Sequence, residues 1–205
     1  MSEGEQRLFI IRNGCAVNAA HADGKWGDVE PLAVGAERNA AAAGLMIKTI
    51  LGEVQPLEAL CSPSRRSTQT LLQALGAAGF STEIQTEVAF VHSGKPAPEV
   101  AQAVREKIQR LASRGPCVAV MSRRAILAGL FPEFRDNFGV SAAQVDQKPE
   151  GYEHDVIPPG SLIVVRYSER VKDIALERVY VAAQPQGQGR VSIGPEIDER
   201  QLVSA

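Results

Sequence analysis

Leu8-Phe9-Ile10-Ile11-Arg12-Asn13-Gly14 decides how the rest of this chain is read. Four consecutive apolar residues with no polar alternation describe a strand buried on both faces, as in the centre of a parallel sheet. The run ends directly on an arginine. Two further apolar runs, residues 57–61 and 117–121, are likewise followed by arginines, Arg65-Arg66 and Arg123-Arg124. If the three runs lie parallel in one sheet, their carboxyl ends form the edge at which open α/β sheets bind ligands. Guanidinium groups converging there suit a phosphate, whose oxygens match the planar fork of donors.

The charges after the second run are badly placed for a simple helix start. Ser62-Pro63 reads as an N-cap followed by the first helical residue, which puts Arg66 in the first turn. A helix amino terminus already carries roughly half a positive charge. Cations are therefore disfavoured at this point unless an anion binds between them, and the free backbone N–H groups would face that same anion. For any one arginine alone, a solvated or acid-paired role is the commoner explanation. Three equivalent placements favour a site.

The 205 residues suffice for one α/β domain with a real core and are too few for two comfortable ones. A hydrophobic fraction of 44% and a charged fraction of 22% are those of an ordinary globular chain. The net charge of −2 argues against nucleic-acid binding driven by bulk electrostatics, so the arginine cluster is a local feature. The first seven residues are polar and show no signal-peptide pattern, and no run of about 18 apolar residues offers a membrane span. Cys15, Cys61 and Cys117 are odd in number and lack paired metal or redox spacing. A cytoplasmic protein with reduced thiols is the expectation.

Between the strands, the stretch from Gly35 through the alanines 40–43 to Leu51 reads as a helix stopped by Gly52, and residues 62–75 as a second helix ended by Gly76 and Gly79. Residues 81–91 suggest an extended segment carrying Glu83 and Glu87. Pro98 and Glu99 open a helix with Val100, Val104, Ile108 and Leu111 on one face, broken at Gly115-Pro116. A short helix is expected over 123–130, and two neighbouring strands over 162–167 and 177–182. Strands alternating with helices predict an α/β three-layer sandwich, a mostly parallel central sheet with helices on both faces. Residues 1–183 form this domain, and the Gln-Gly-Pro-rich stretch 184–205 reads as a polar tail.

With these elements in place, residues 8–14, Pro31-Leu32 with Gly35, and Ser62-Pro63-Ser64-Arg65-Arg66-Ser67-Thr68-Gln69-Thr70 together resemble the histidine phosphatase superfamily, also called phosphoglycerate mutase-like. That family typically reads Arg-His-Gly after the first strand, Pro-Leu-Thr then Gly before the first helix, and Ser-Pro-Leu-x-Arg-Ala-x-Gln-Thr at the second. The resemblance is strongest over residues 8–75 and weaker through Leu130.

The resemblance implies that Arg12 and Arg66 are phosphate-binding arginines. It also implies that Asn13 stands where the family has its nucleophilic histidine. An amide nitrogen has no lone pair for attack, so Asn13 can donate a hydrogen bond to phosphate but cannot form a phosphoenzyme. At the second histidine position stands Arg123, which keeps a positive charge but exchanges no proton near neutral pH. Glu87 is the candidate for the family's general acid, weighed against a surface glutamate. Phosphate binding is thus expected of Arg12, Asn13, Arg66 and Arg123, with no catalytic residue, cofactor or metal.

Cys15 follows the first motif but lacks the Cys-x5-Arg phosphate loop, which favours an inert thiol. His21, His92 and His154 fall in loops outside the motifs, and His21-x-Asp23 and His154-Asp155 are isolated pairs without the further ligands of a closed metal site. Three readings follow. The first is a pseudophosphatase binding a phosphorylated small molecule or phosphoprotein, or serving as an interaction module. The second is a phosphohydrolase using Cys15, Glu87 or activated water. The third is a surface interaction protein with a relic pocket, acting through residues 131–160 or the tail. Neither nucleic acid nor membrane is an expected partner.

Overall fold

The structure, a computed structural model, describes residues 5–14, 32, 35–90, 97–122, 125–126, 129–130, 157, 159–168, 170 and 173–180. The expected polar tail 184–205 and residues Cys15, Arg123 and Arg124 lie outside these. In chain order the elements are β1 (Glu5–Arg12), α1 (Ala36–Leu51), β2 (Glu58–Cys61), α2 (Arg65–Ala78), β3 (Ile84–Thr86), a 3-10 turn (Val88–Phe90), α3 (Ala97–Arg114), β4 (Cys117–Met121), β5 (Leu162–Ser168) and β6 (Asp173–Tyr180).

Six strands form one sheet in the order β3-β2-β4-β1-β5-β6. The three runs that end near arginines are thus immediate neighbours. β1 and β2 both pair with β4 in parallel, with Ile11 beside Val120 and Cys61 beside the same residue on the other side. β3 extends the parallel set, whereas β5 is antiparallel to both β1 and β6. The sheet is therefore mixed but mostly parallel, as expected.

Period-two alternation within continuous apolar runs explains the three layers. Leu8 and Ile10 of β1 join Leu60, Ala119 and Met121 in a core closed by Val104, Ile108 and Leu111 of α3. Phe9 and Ile11 face the other way, with Ala59, Cys61, Val118 and Val120, into a core closed by Ile47 and Leu51 of α1 and Leu71 and Leu75 of α2. Leu8, Phe9, Ile10 and Ile11 are all fully buried. This double burial is what a strand without polar alternation requires.

Several boundaries differ from the sequence expectation. α2 begins at Arg65, capped by Ser64 rather than Ser62, because Ser64 has extended backbone angles and its hydroxyl accepts the Ser67 N–H. Gly76 does not end α2. The helix runs to Ala78 and stops at Gly79, whose φ of 69° is the left-handed conformation that a helix C-terminus needs. The extended segment at 81–91 reduces to a three-residue strand and a 3-10 turn. β6 begins earlier than expected, at Asp173, because it follows β5 along its length from Leu162↔Tyr180 to Ser168↔Asp173. Of the helix expected over 123–130, residues 125–126 and 129–130 are described and helical.

Candidate functional site

The sheet ladder continues past the strand ends and fixes the site's floor. Asn13 N–H donates to Met121 O at 3.0 Å, and Ser62 N–H to Val120 O at 3.1 Å. Arg12 is bracketed from β5, its N–H donating to Ser161 O and its carbonyl accepting from Gly160 N–H, each at 2.9 Å. Asn13, Ser62 and the α2 amino terminus are therefore brought together at the carboxyl edge of the parallel strands.

Asn13 is only 6% exposed. Its Nδ2 lies 3.4 Å from Ser67 Oγ, to which it donates. Ser67 in turn accepts from Ser62 Oγ at 2.6 Å and lies 2.7 Å from Ser64 Oγ. All three serines are buried, so the Asn13 side chain rests on a small hydroxyl network. Gly14 N–H donates to Thr70 Oγ1 at 3.1 Å, and Thr70 Oγ1 donates to Arg66 O at 2.7 Å. Gln69 Oε1 accepts Leu32 N–H at 2.7 Å. The first two turns of α2 thus hold both the end of β1 and the segment before α1.

Of the expected site residues, Arg12, Asn13 and Arg66 share this edge. The Arg12 guanidinium donates through Nη1 to Ile157 O, so part of its fork is committed to the protein. Arg66 is the second residue of α2, half-buried, and α2 has no acidic residue in its first turn. Arg123 lies outside the described residues. Ser122 does not: its hydroxyl accepts Ala125 N–H at 3.2 Å and starts the helical turn after β4.

Glu87 follows β3, its N–H donating to Cys61 O at 2.8 Å. One carboxylate oxygen pairs with Lys107 of α3 and the other accepts Ala89 N–H at 3.1 Å. Burial pushes this carboxyl up, but the Lys107 hydrogen bond, the Ala89 amide and the charges of Lys107 and Arg110 together hold it below its ordinary value. A general acid needs its proton at working pH, and this pairing favours the ionised form.

The described thiols are poor nucleophiles. Burial pushes Cys61 up, only partly offset by Thr68, and burial with the nearby Glu58 charge pushes Cys117 up to about 11. Among the described residues no group of three His, Cys, Asp or Glu side chains is placed to hold a metal ion, and no helix is long and apolar enough to cross a membrane. Cys15, His21, His92 and His154 lie outside the described residues.

Sequence reasoning missed the hydroxyl network. A signal was present: Ser64 and Ser67 stand where the family pattern has leucine and alanine.

The architecture is that of the α/β proteins built like histidine phosphatases and phosphoglycerate mutases. A solved protein histidine phosphatase SixA, complexed with tungstate, superimposes with a TM-score of 0.57 at 15% identity, over 85% of this chain and 96% of that one. Phosphoglycerate mutase from Plasmodium falciparum gives 0.55 at 11% identity, over 92% and 99%. Mycobacterial glucosyl-3-phosphoglycerate phosphatase gives 0.53 at 16% identity, over 87% and 100%. No protein-family model and no curated protein sequence matches the chain. At these identities the likeness establishes the fold.

Proposed function

We propose that this chain is a catalytically degraded protein of the histidine-phosphatase type that binds a phosphorylated small molecule or phosphoprotein without hydrolysing it. The observation that carries this reading is Asn13. It sits buried at the end of β1, where the fold's phosphatases are expected to place a nucleophilic histidine, and an amide cannot accept a phosphoryl group.

An anion is the ligand class because Arg65 and Arg66 open α2 with no acidic residue in its first turn. A bound anion removes the conflict between those cations and the helix dipole. Arg12, Asn13 and Arg66 are its contacts, with Arg123 as a fourth. The SixA structure holding tungstate, a tetrahedral oxyanion, accords with a pocket of this chemistry on this fold. A reducing, cytoplasmic setting belongs to the same reading, as do protein partners recognised through a phosphorylated side chain.

Thermal-shift titration with phosphate and vanadate tests the proposal, since a ligand that binds only the folded state raises its stability by mass action. Stabilisation of the wild type that Arg66→Ala loses, with no turnover of phosphoesters by either, is the expected result. Arg66-dependent phosphoester hydrolysis overturns it in favour of a phosphohydrolase using another nucleophile or activated water. No stabilisation by either ion leaves a relic pocket and moves function to the surface.

A further inference from the structure

We propose that the buried ring of Ser62, Ser64 and Ser67 fixes the Asn13 carboxamide with its oxygen toward the ligand, so that the pocket selects an oxyanion carrying a proton over a fully deprotonated one. This rests on the anion-binding reading above and names the protonation state of the ligand that the site takes.

The hydrogen atoms decide the orientation. Ser62 Oγ donates to Ser67 Oγ at 2.6 Å. Ser67 Oγ lies 2.7 Å from Ser64 Oγ, and Ser64 Oγ lies 3.4 Å from Ser62 Oγ. Running the protons from Ser62 to Ser67 to Ser64 and back to Ser62 lets each hydroxyl donate once, and bonds in such a cycle polarise one another favourably. Ser64 Oγ also accepts Ser67 N–H at 3.4 Å, which fills its second lone pair.

In this cycle the Ser67 proton is used on Ser64, and the remaining lone pair of Ser67 takes Asn13 Nδ2. The opposite amide orientation needs Ser67 to donate across 3.4 Å to Asn13 instead. Ser64 must then donate to Ser67, and Ser62 no longer accepts within the ring. The cycle therefore favours Nδ2 toward Ser67. Asn13 Oδ1 accepts nothing from any described residue, so Oδ1 and the second Nδ2 hydrogen are left for a ligand, and an oxyanion that carries one proton satisfies both, its P–OH donating to Oδ1 and a bare oxygen accepting the N–H.

An acceptor set among guanidinium donors discriminates by protonation. An oxyanion oxygen without a proton meets Oδ1 as a second acceptor, whereas a P–OH group donates to it. Charge alone works in the other direction, since arginines attract a dianion more strongly than a monoanion. Preference for the monoanion would thus have to come from the amide.

The charged groups on the elements around Asn13 at this edge are Arg12 on β1, Arg65 and Arg66 at the start of α2, and Glu37 and Arg38 at the start of α1, whose Ala36 lies against Gly14, with Arg123 and Arg124 following β4 in sequence. Arginines keep their charge across neutral pH. Cys61 on β2 stays a thiol because burial raises it, and Glu87 is tied to Lys107. Sulfate has no proton to lose in this range, so its own pH dependence reports the titration of other protein groups separately from the loss of the phosphate proton.

Isothermal titration with methyl phosphate, a monoester with a single remaining proton to lose, and with sulfate, at about pH 5.5 and about pH 8.5, brackets the loss of that proton, which for a phosphoester occurs near about pH 6. The expected result is methyl phosphate binding about fivefold or more tighter than sulfate at the lower pH, the scale of one neutral hydrogen bond. The ratio falls at the higher pH. Ser67→Ala, which restores the residue of the family pattern, should bring the ratio at low pH toward one, and Ser64→Ala, which opens the ring elsewhere, should do likewise if Ser67→Ala misfolds. A wild-type ratio of one or less at the lower pH, or a ratio that does not change with pH, overturns the inference while leaving the anion pocket intact. Binding of neither ion overturns the pocket itself and this inference with it.

Discussion

The backbone N–H of Gly14 donates to the hydroxyl of Thr70 at 3.1 Å, and that hydroxyl donates in turn to Arg66 O at 2.7 Å. One fully buried side chain therefore ties the end of β1, where Asn13 sits, to the helical turn that carries Arg66. Thr70→Val keeps the shape but leaves both backbone groups without this partner. Losing a buried partner costs about 1–3 kcal/mol, and for a chain of this size each kcal/mol lowers Tm by roughly 2–4 °C. A melting curve should show that loss, phosphate titration should show weaker binding, and Thr70→Ser should recover much of both. Unchanged melting in Thr70→Val would mean that the Gly14 bond contributes nothing.

α1 and α2 cross at Gly44, where an added Cβ would lie 2.0 Å from Ala74 O. That neighbour is backbone and cannot swing aside, so the helices must separate to admit a methyl group. Overpacking of this kind costs typically about 1–3 kcal/mol and occasionally more. Gly44→Ala, which raises intrinsic helix propensity, should nevertheless melt several degrees below the wild type. Because α2 carries Arg66 and Ser67, the same variant should also bind phosphate more weakly.

The three adjacent parallel strands and the arginine-bearing edge were legible because residues 8–11 and 117–121 are continuous apolar runs and residues 57–61 are interrupted only by Glu58. The α2 boundary was misplaced by two residues because Ser62 and Ser64 are both good caps, and only tertiary contact decides between them. Ser62 is drawn instead into the sheet ladder through Val120 and into the bond with Ser67. The ion pair of Glu87 with Lys107 was not legible, since 20 residues of sequence and a change of element separate them. The serine ring was legible in composition but not in geometry, because hydroxyls in a helix first turn usually face solvent or the cap.

Cys61 and Cys117 are fully buried and both thiols are pushed up, Cys117 to about 11. The thiolate is the reactive form, so neither should react at mildly alkaline pH while the chain is folded. In a Cys15→Ser background, a chromogenic disulfide reagent should titrate no thiol before denaturant is added and two afterwards. Rapid labelling of the folded variant would show that one of these strands opens readily.

Glu87 offers the sharpest separation between a structural and a catalytic carboxylate. Its pairing with Lys107 and the Ala89 amide holds it below its ordinary value despite burial. A carboxylate whose folded pKa is depressed stabilises the fold above the unfolded value and loses that contribution as pH falls through the folded one. Wild-type Tm should therefore drop on acidification below the ordinary glutamate range, and Glu87→Gln should drop less over the same interval because it has no proton to gain. At neutral pH the variant starts lower, by roughly 1 kcal/mol for a partly exposed pair, so its stability curve approaches the wild type's from below as acid is added. Lys107→Met should show the same convergence, since either substitution dissolves the pair. If Glu87→Gln instead leaves the pH dependence of Tm unchanged but abolishes a phosphoester-cleaving activity, the carboxylate is working as an acid and the degraded reading of this pocket is wrong.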